Sequence, residues 1–264
     1  TSLYDINEAK VEELKRIGGV ELQGCIHGFG KINTITADIG EAIEKSKIIM
    51  VTTIANAHRD VAKSIAPFLE EDQIIVLNPG RTCGALVFNQ ALRQAGCSKH
   101  YFLGEAQTLV YACRLIKNGV VNIIGVKDEI FLAGLPSADT QYILDKIKPL
   151  FPSFYRAGNV LQTSWENIGA MFHPCVCLFN AATIERQDEF WFYRDMTEQI
   201  ACFIEKFDAE RLAVGKAYGI DLLSVNEWIK FAYKDTKGTS LCERMKNNPA
   251  YHDIKAPGSI FTRQ

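Results

Sequence analysis

Apolar positions along the first 160 residues alternate between two rhythms, short β-branched runs and stretches with helical spacing. The run "SLYD" (2–5) is short, apolar and ends in an acid, and "INEAKVEELKRI" then places Val11, Leu14 and Ile17 on one helical face before "GG" stops it. "SKIIMVTTI" (46–54) predicts a strand buried on both faces, and "HRDVAKSIAPFL" predicts the helix after it. "DQIIVLNPG" (72–80) is the next strand, closed by Pro-Gly, followed by a helix over 84–94 and a further strand in "KHYFLGEAQ" (99–107). Strand and helix in alternation predict a parallel, doubly wound sheet.

From Val110 the pattern changes to "LVYACRLIKNGVVNIIGVKDEIFLAGL", with Asn118-Gly119 as a hairpin signal and Lys127-Asp128 as a second candidate turn. A helix near 138–148 and "FPSFYRAG" close the first domain. After about Val160 the period-two signal stops. "SWENIGAMFHP", "VCLFNAATIERQ", "MTEQIACFIEKFDAERLAVGKAYG" and "LLSVNEWIKFAYK" all carry helical spacing, and Gly219 caps the longest of them. The expected division is a doubly wound domain over 1–160 and a largely helical domain over 161–264.

Composition narrows the function classes. The chain has 264 residues, 29 basic and 31 acidic, with no basic stripe of the kind that neutralises a phosphate backbone, so nucleic acid is not an expected partner. No apolar run reaches the roughly 18 residues of a membrane span, and "TSLYDINEAK" has no signal-peptide pattern. The eight cysteines are scattered without framework spacing, so a soluble cytoplasmic protein with reduced thiols is expected.

Three stretches fall where an open parallel sheet binds ligands, beyond the carboxyl ends of its strands: "TTIANAH" (52–58), "NPGRTCG" (78–84) and "GEAQTLVYAC" (104–113). Pro79 and Gly80 would let the backbone approach a flat ring, and the amides of 82–84 would open a helix able to hold a carboxylate; an ordinary turn is the alternative. Glu105, Gln107, Thr108 and Cys113 form a polar set on a strand that should be apolar, and polar groups packed there need partners. Asp5 is as readily a helix cap as a ribose ligand. "HGFG" and "ELQG" lie in the wrong context for a phosphate-binding turn.

"MFHPCVCLFN" (171–180) sets His173 in an apolar run. Spacing alone favours a buried packing residue. Pro174 instead suggests a helix junction facing the other domain, where an imidazole is a natural proton donor. Cys175 and Cys177 are better read as small hydrophobes than as metal ligands. Asn167 is a core polar residue or a cofactor contact. "RQDEFWFYRD" (186–195) is expected to be an interdomain or oligomer patch, with a substrate-pocket wall of Phe190, Trp191 and Tyr193 as the alternative.

Taken in order, "IIVLNPGRTCGAL", "GEAQTLVYACR", "WENIGAMFHPCVCLFNAATIE" followed by "FWFYRDMTEQI", and "DAERLAVGKAYGI" resemble the opine dehydrogenases, the octopine and nopaline dehydrogenase family. The resemblance runs from Tyr4 to about Tyr251. It implies a Rossmann-like dinucleotide domain followed by an all-helical domain like that of 6-phosphogluconate dehydrogenase. The implied activity is NAD(P)H-dependent reductive condensation of an amino acid with a 2-oxo acid, often pyruvate. By the same resemblance His173 is the general acid/base, and Thr108 and Cys113, with Gln107 beside them, line the amino-acid side. Asn78, Pro79 and Gly80 pass beside the nicotinamide, and Asp5 meets the adenosine ribose. Asp5 leans toward NAD over NADP, although Lys10 nearby is a cation able to reverse that preference.

The family's glycine-rich turn would lie before Thr1, and the Asp that partners its histidine would lie after Gln264. A 2-oxo acid reductase of the same architecture and a non-catalytic remnant or binding module are the rival readings. A homodimer is compatible with all three.

Overall fold

The computed structural model describes residues 1–261. The chain forms two compact units: Thr1–Val126 with Ile130–Ser164, and Lys127–Glu129 with the chain from Trp165 onward.

In the first unit β1 (Ser2–Tyr4) is followed by α1 (Glu8–Ile17), β2 (Gly19–Gly24), β3 (Gly28–Lys31), β4 (Thr34–Thr36), α2 (Ile39–Ile43) and β5 (Ile48–Val51). Next come α3 (His58–Ile65), β6 (Gln73–Leu77), α4 (Gly84–Gln94), β7 (Tyr101–Ala106), β8 (Tyr111–Lys117) and β9 (Val120–Val126). The unit ends with β10 (Ile130–Leu135), α5 (Thr140–Ile147), β11 (Phe154–Arg156) and most of α6 (Val160–Trp165). The main sheet has the order β11-β10-β7-β6-β5, and β1 pairs with β4 in a separate parallel ribbon.

The predicted parallel sheet is present as β5, β6 and β7. β10 and β11 extend it in the opposite direction. Alternation along β6 builds a core on each face. Ile75 and Leu77 join Ala62 and Ile65 of α3 and Phe88, Ala91 and Leu92 of α4 in one cluster, whereas Ile74 and Val76 pack with Ile143, Leu144 and Ile147 of α5 in the other. All five residues of β6 are buried, which is why its sequence carries no polar alternation.

Segment 19–31, to which the sequence pattern assigned no element, is paired strand. "GVELQG" and "GFGK" form β2 and β3 of a second sheet, ordered β3-β2-β9-β8. Asn118-Gly119 makes the predicted hairpin between β8 and β9. Lys127-Asp128 makes none, because β9 and β10 lie in different sheets and the intervening Lys127–Glu129 belongs to the second unit. There Asp128 accepts the Lys234 N–H, and Glu129 pairs with the Lys234 ammonium.

The second unit continues with α7 (Gly169–Phe179), α8 (Ala181–Glu185), α9 (Glu198–Ala217), α10 (Val225–Ala232) and α11 (Leu241–Lys246). Ser224 with Glu227 and Ser240 with Glu243 form capping boxes that start α10 and α11. Gly219, at φ +70°, follows α9 in the left-handed conformation expected of a helix end. Among the described residues no helix is long and apolar enough to cross a membrane.

Candidate functional site

In the first unit Asn78, Pro79, Gly80, Cys83 and Glu105 come together at the end of β6 and the start of α4. The 78–83 loop contains a cis Asn78-Pro79 bond and two left-handed non-glycine residues, Arg81 and Cys83. Cys83 is the residue before α4 and supplies no side-chain cap. The cap comes from β7 instead: Glu105 accepts the Ala85 N–H at 2.7 Å. Its other carboxyl oxygen receives the hydroxyls of Thr163 (2.6 Å) and Ser164 (2.9 Å), and Ser164 in turn accepts the Cys83 N–H at 2.9 Å.

A carboxylate does meet this helix start, on the Ala85 N–H and not on the amides of 82–84, and it is the protein's own. Gly80 makes room for it, since a Cβ there would overlap the Glu105 Cγ. Glu105 is fully buried, and desolvation pushes its pKa up to about 7 against the pull of its three donors.

His58, buried at the start of α3, also borders Gly84. Its pKa is lowered, mostly by burial, and its Nε2 has no hydrogen-bond partner. Asn78 is likewise buried; its amide nitrogen contacts the Met50 sulfur, and its Oδ1 has no partner.

The polar set expected on one strand is divided by the structure. Glu105 lies on β7, Gln107 and Thr108 lie just past its end, and Cys113 lies on β8 in the other sheet beside a register shift. Gln107 is anchored through its side-chain oxygen to the Phe131 N–H, and its own N–H bonds the Phe131 carbonyl. Thr108 and Cys113 are half-buried. Asp5 follows β1 and accepts the Asn7 N–H, whereas the cap of α1 is Asn7, bonded to the Lys10 N–H.

In the second unit His173 is exposed, so the buried packing reading fails. α7 runs through Pro174 without a junction, carrying the imidazole on its outer face. His173 Nε2 lies 2.9 Å from the Tyr193 hydroxyl, and Phe192 packs edge-on at 5.8 Å between ring centroids. Within the aromatic stretch Phe190, Phe192 and Tyr193 are buried. Only Trp191 stays half-exposed, bracketed by Arg194 and Lys255 at 4.4 and 5.5 Å. Tyr193 is held from behind by stacking on Tyr251 at 4.6 Å. Burial pushes the thiols of Cys175 and Cys177 up, as packing residues require. Asn167 is half-buried just before α7.

Sequence reasoning missed Tyr193 as the partner of His173, and Thr163, Ser164 and His58 around Glu105. The one available signal was Glu105 itself, an acid inside an apolar strand.

Comparison with known proteins places these features in a family. Residues 156–264 match the model of the NAD/NADP octopine/nopaline dehydrogenase α-helical domain. An opine dehydrogenase of Arthrobacter sp. (strain 1C) is 34% identical over 262 residues, covering 98% of this chain and 72% of its own. One from Haliotis discus hannai is 24% identical over 250 residues, covering 86% of this chain and 60% of its own. The fold is also that of an octopine dehydrogenase solved with NADH and agmatine, at TM-score 0.77 and 18% identity over 97% of this chain and 70% of that one. With the extent of the Arthrobacter match and the family's helical domain both present, this chain belongs to the opine dehydrogenase family.

Proposed function

We propose that the protein reductively condenses an amino acid with a 2-oxo acid such as pyruvate, using NADH or NADPH, with His173 as the acid/base. The observation that carries this reading is His173 itself. It is an exposed imidazole on a helix of the family's helical domain, and a buried tyrosine hydroxyl holds one of its nitrogens. A histidine held in this way has its ring orientation fixed and can exchange a proton near neutral pH.

The residues of the first unit fit a dinucleotide. Asp5 at the end of β1 offers a carboxylate suited to ribose hydroxyls, and the buried, unpartnered Oδ1 of Asn78 at the end of β6 suits an amide donor. Asp5 would hold the ribose, while Asn78, Pro79 and Gly80 would flank the nicotinamide, which when bound supplies a hydride to the carbon being reduced. Thr108 and Cys113 would line the amino-acid side, and Gln107, fixed to Phe131, would set the loop that carries Thr108.

His173 protonates the carbonyl oxygen of the oxo acid as the amine attacks, and assists the proton transfers that release water. Tyr193 serves Nε2 as donor or acceptor while the imidazole changes state. The eight free thiols suit a cytoplasmic location.

The test is consumption of NADH or NADPH by the intact protein with pyruvate, in the presence and absence of an amino-acid mixture. Turnover is expected only with both substrates; turnover indifferent to amino acids would instead assign a 2-oxo acid reductase. His173→Ala is expected to lower kcat by about 10²–10⁴-fold. Light scattering on the same sample tests assembly as a homodimer.

A further inference from the structure

We propose that Glu105 is a positioning residue for this reaction, a single carboxyl group that fastens the 78–83 loop and the start of α4 to residues 163 and 164. The inference rests on the reading that Asn78, Pro79 and Gly80 flank the nicotinamide. Three elements meet at Glu105. α4 contributes the Ala85 N–H, α6 contributes the Thr163 and Ser164 hydroxyls, and the loop contributes Gly80, whose missing Cβ is the space Glu105 fills.

A second layer closes the same loop. Ser164 Oγ takes the Cys83 N–H, Thr82 donates to the Ser164 carbonyl, and the Gly80 N–H bonds the Ala106 carbonyl, one residue past Glu105. Removing Glu105 would leave the buried Ala85 N–H and the buried Ser164 hydroxyl without their acceptor, while Thr163 would keep only the Val160 carbonyl.

The network works with the carboxyl in either protonation state, because the single Thr163 hydroxyl proton has two acceptors in reach. These are Glu105 Oε1 at 2.6 Å and the Val160 carbonyl at 3.0 Å. With Glu105 ionised, Thr163 donates to it. With Glu105 protonated, its O–H donates to Thr163 Oγ1 and the Thr163 proton turns to Val160. A glutamine can adopt the second arrangement, its oxygen on Ala85 N–H and its NH₂ toward the hydroxyls. A role in positioning is therefore rescued by Gln, whereas proton transfer by Glu105 is not.

Two measurements on the intact protein test this. In cofactor-free protein, hydrogen exchange at the Cys83 and Ala85 amides should accelerate in Glu105→Ala and at Cys83 in Ser164→Ala, and return toward the wild-type rate in Glu105→Gln. In turnover, Glu105→Ala and Ser164→Ala should raise the KM for NADH roughly tenfold and leave the KM for the amino acid within about twofold, with Glu105→Gln within about threefold of wild type throughout. A merely structural defect would lower kcat and leave both KM values alone.

Unchanged exchange and unchanged KM for NADH in the alanine variants would overturn the proposal, as would a Gln variant as impaired as Ala. If Glu105→Ala does not fold, Ser164→Ala carries the test. Absence of NADH-dependent turnover in the wild type would overturn the functional reading, while the exchange measurement would still decide whether Glu105 fastens the loop.

Discussion

Single atoms decide the chemistry of this chain at two positions. At Gly80 the missing Cβ is the room occupied by the Glu105 side chain, so Gly80→Ala must displace a buried carboxyl or the loop itself. Overpacking at such a site costs typically 1–3 kcal/mol. A fall of about that size is expected in the free energy of unfolding by urea, and an unchanged midpoint would contradict the packing described. At His173 the deciding contact is the Tyr193 hydroxyl, 2.9 Å from Nε2. The spacing of "MFHPCVCLFN" placed the ring in a core, because every neighbour but Pro174 and the terminal Asn180 is apolar or a cysteine. The helix turns that residue outward and buries Phe172, Cys175 and Val176 instead.

At the scale of elements, periodicity was most legible where burial is one-sided or complete. α1, α3, α4, α5 and β6 fall where their spacing predicted, with α1 bounded by Asn7 and Gly18. β2 and β3 were illegible because their residues are mostly exposed and rich in glycine, leaving no apolar alternation to read.

The helices of the second unit are joined by an Asp208–Arg211 pair, three residues apart on α9, whose further partners lie 12 to 46 residues away in the chain. Arg211 on α9 bonds Asp208 at 2.7 Å and the carbonyls of Trp165 and Leu223, and Asp208 accepts the Val225 N–H that opens α10. Arg211→Ala leaves Asp208 buried without its cation, a change that costs about 3–5 kcal/mol. The expected result is a clear drop in thermal stability, and a variant that melts with the wild type would show that the network contributes little.

Across the molecule, each unit buries one carboxyl whose pKa rises to about 7, Glu105 in the first and Glu166 in the second, both through desolvation. A carboxyl raised in the folded state binds its proton more tightly there than in the unfolded chain. Its contribution to stability is therefore complete below about pH 4.5 and is lost as pH rises through 7. The titratable group nearest Glu105 is His58, across Gly84, with Arg81 acting on His58; around Glu166 the charged groups are Arg211, Asp208 and Glu227. Since Gln stands in for the neutral acid, wild type should lose stability relative to Glu105→Gln between pH 5 and pH 8, by up to about 3 kcal/mol. Urea midpoints of the two proteins across that range provide the check, and a constant difference would show that Glu105 does not titrate there.

The sequence by itself determined the doubly wound sheet, the helical second half and, through linked motifs, the family. These depend on local periodicity and on residue order, which a linear string preserves. Tertiary structure alone decided that Glu105 caps α4, that Tyr193 holds His173, and that residues 127–129 belong with the second unit. Each of these joins positions 20 to 106 residues apart, and no periodic signal within a helix or strand reaches across such separations.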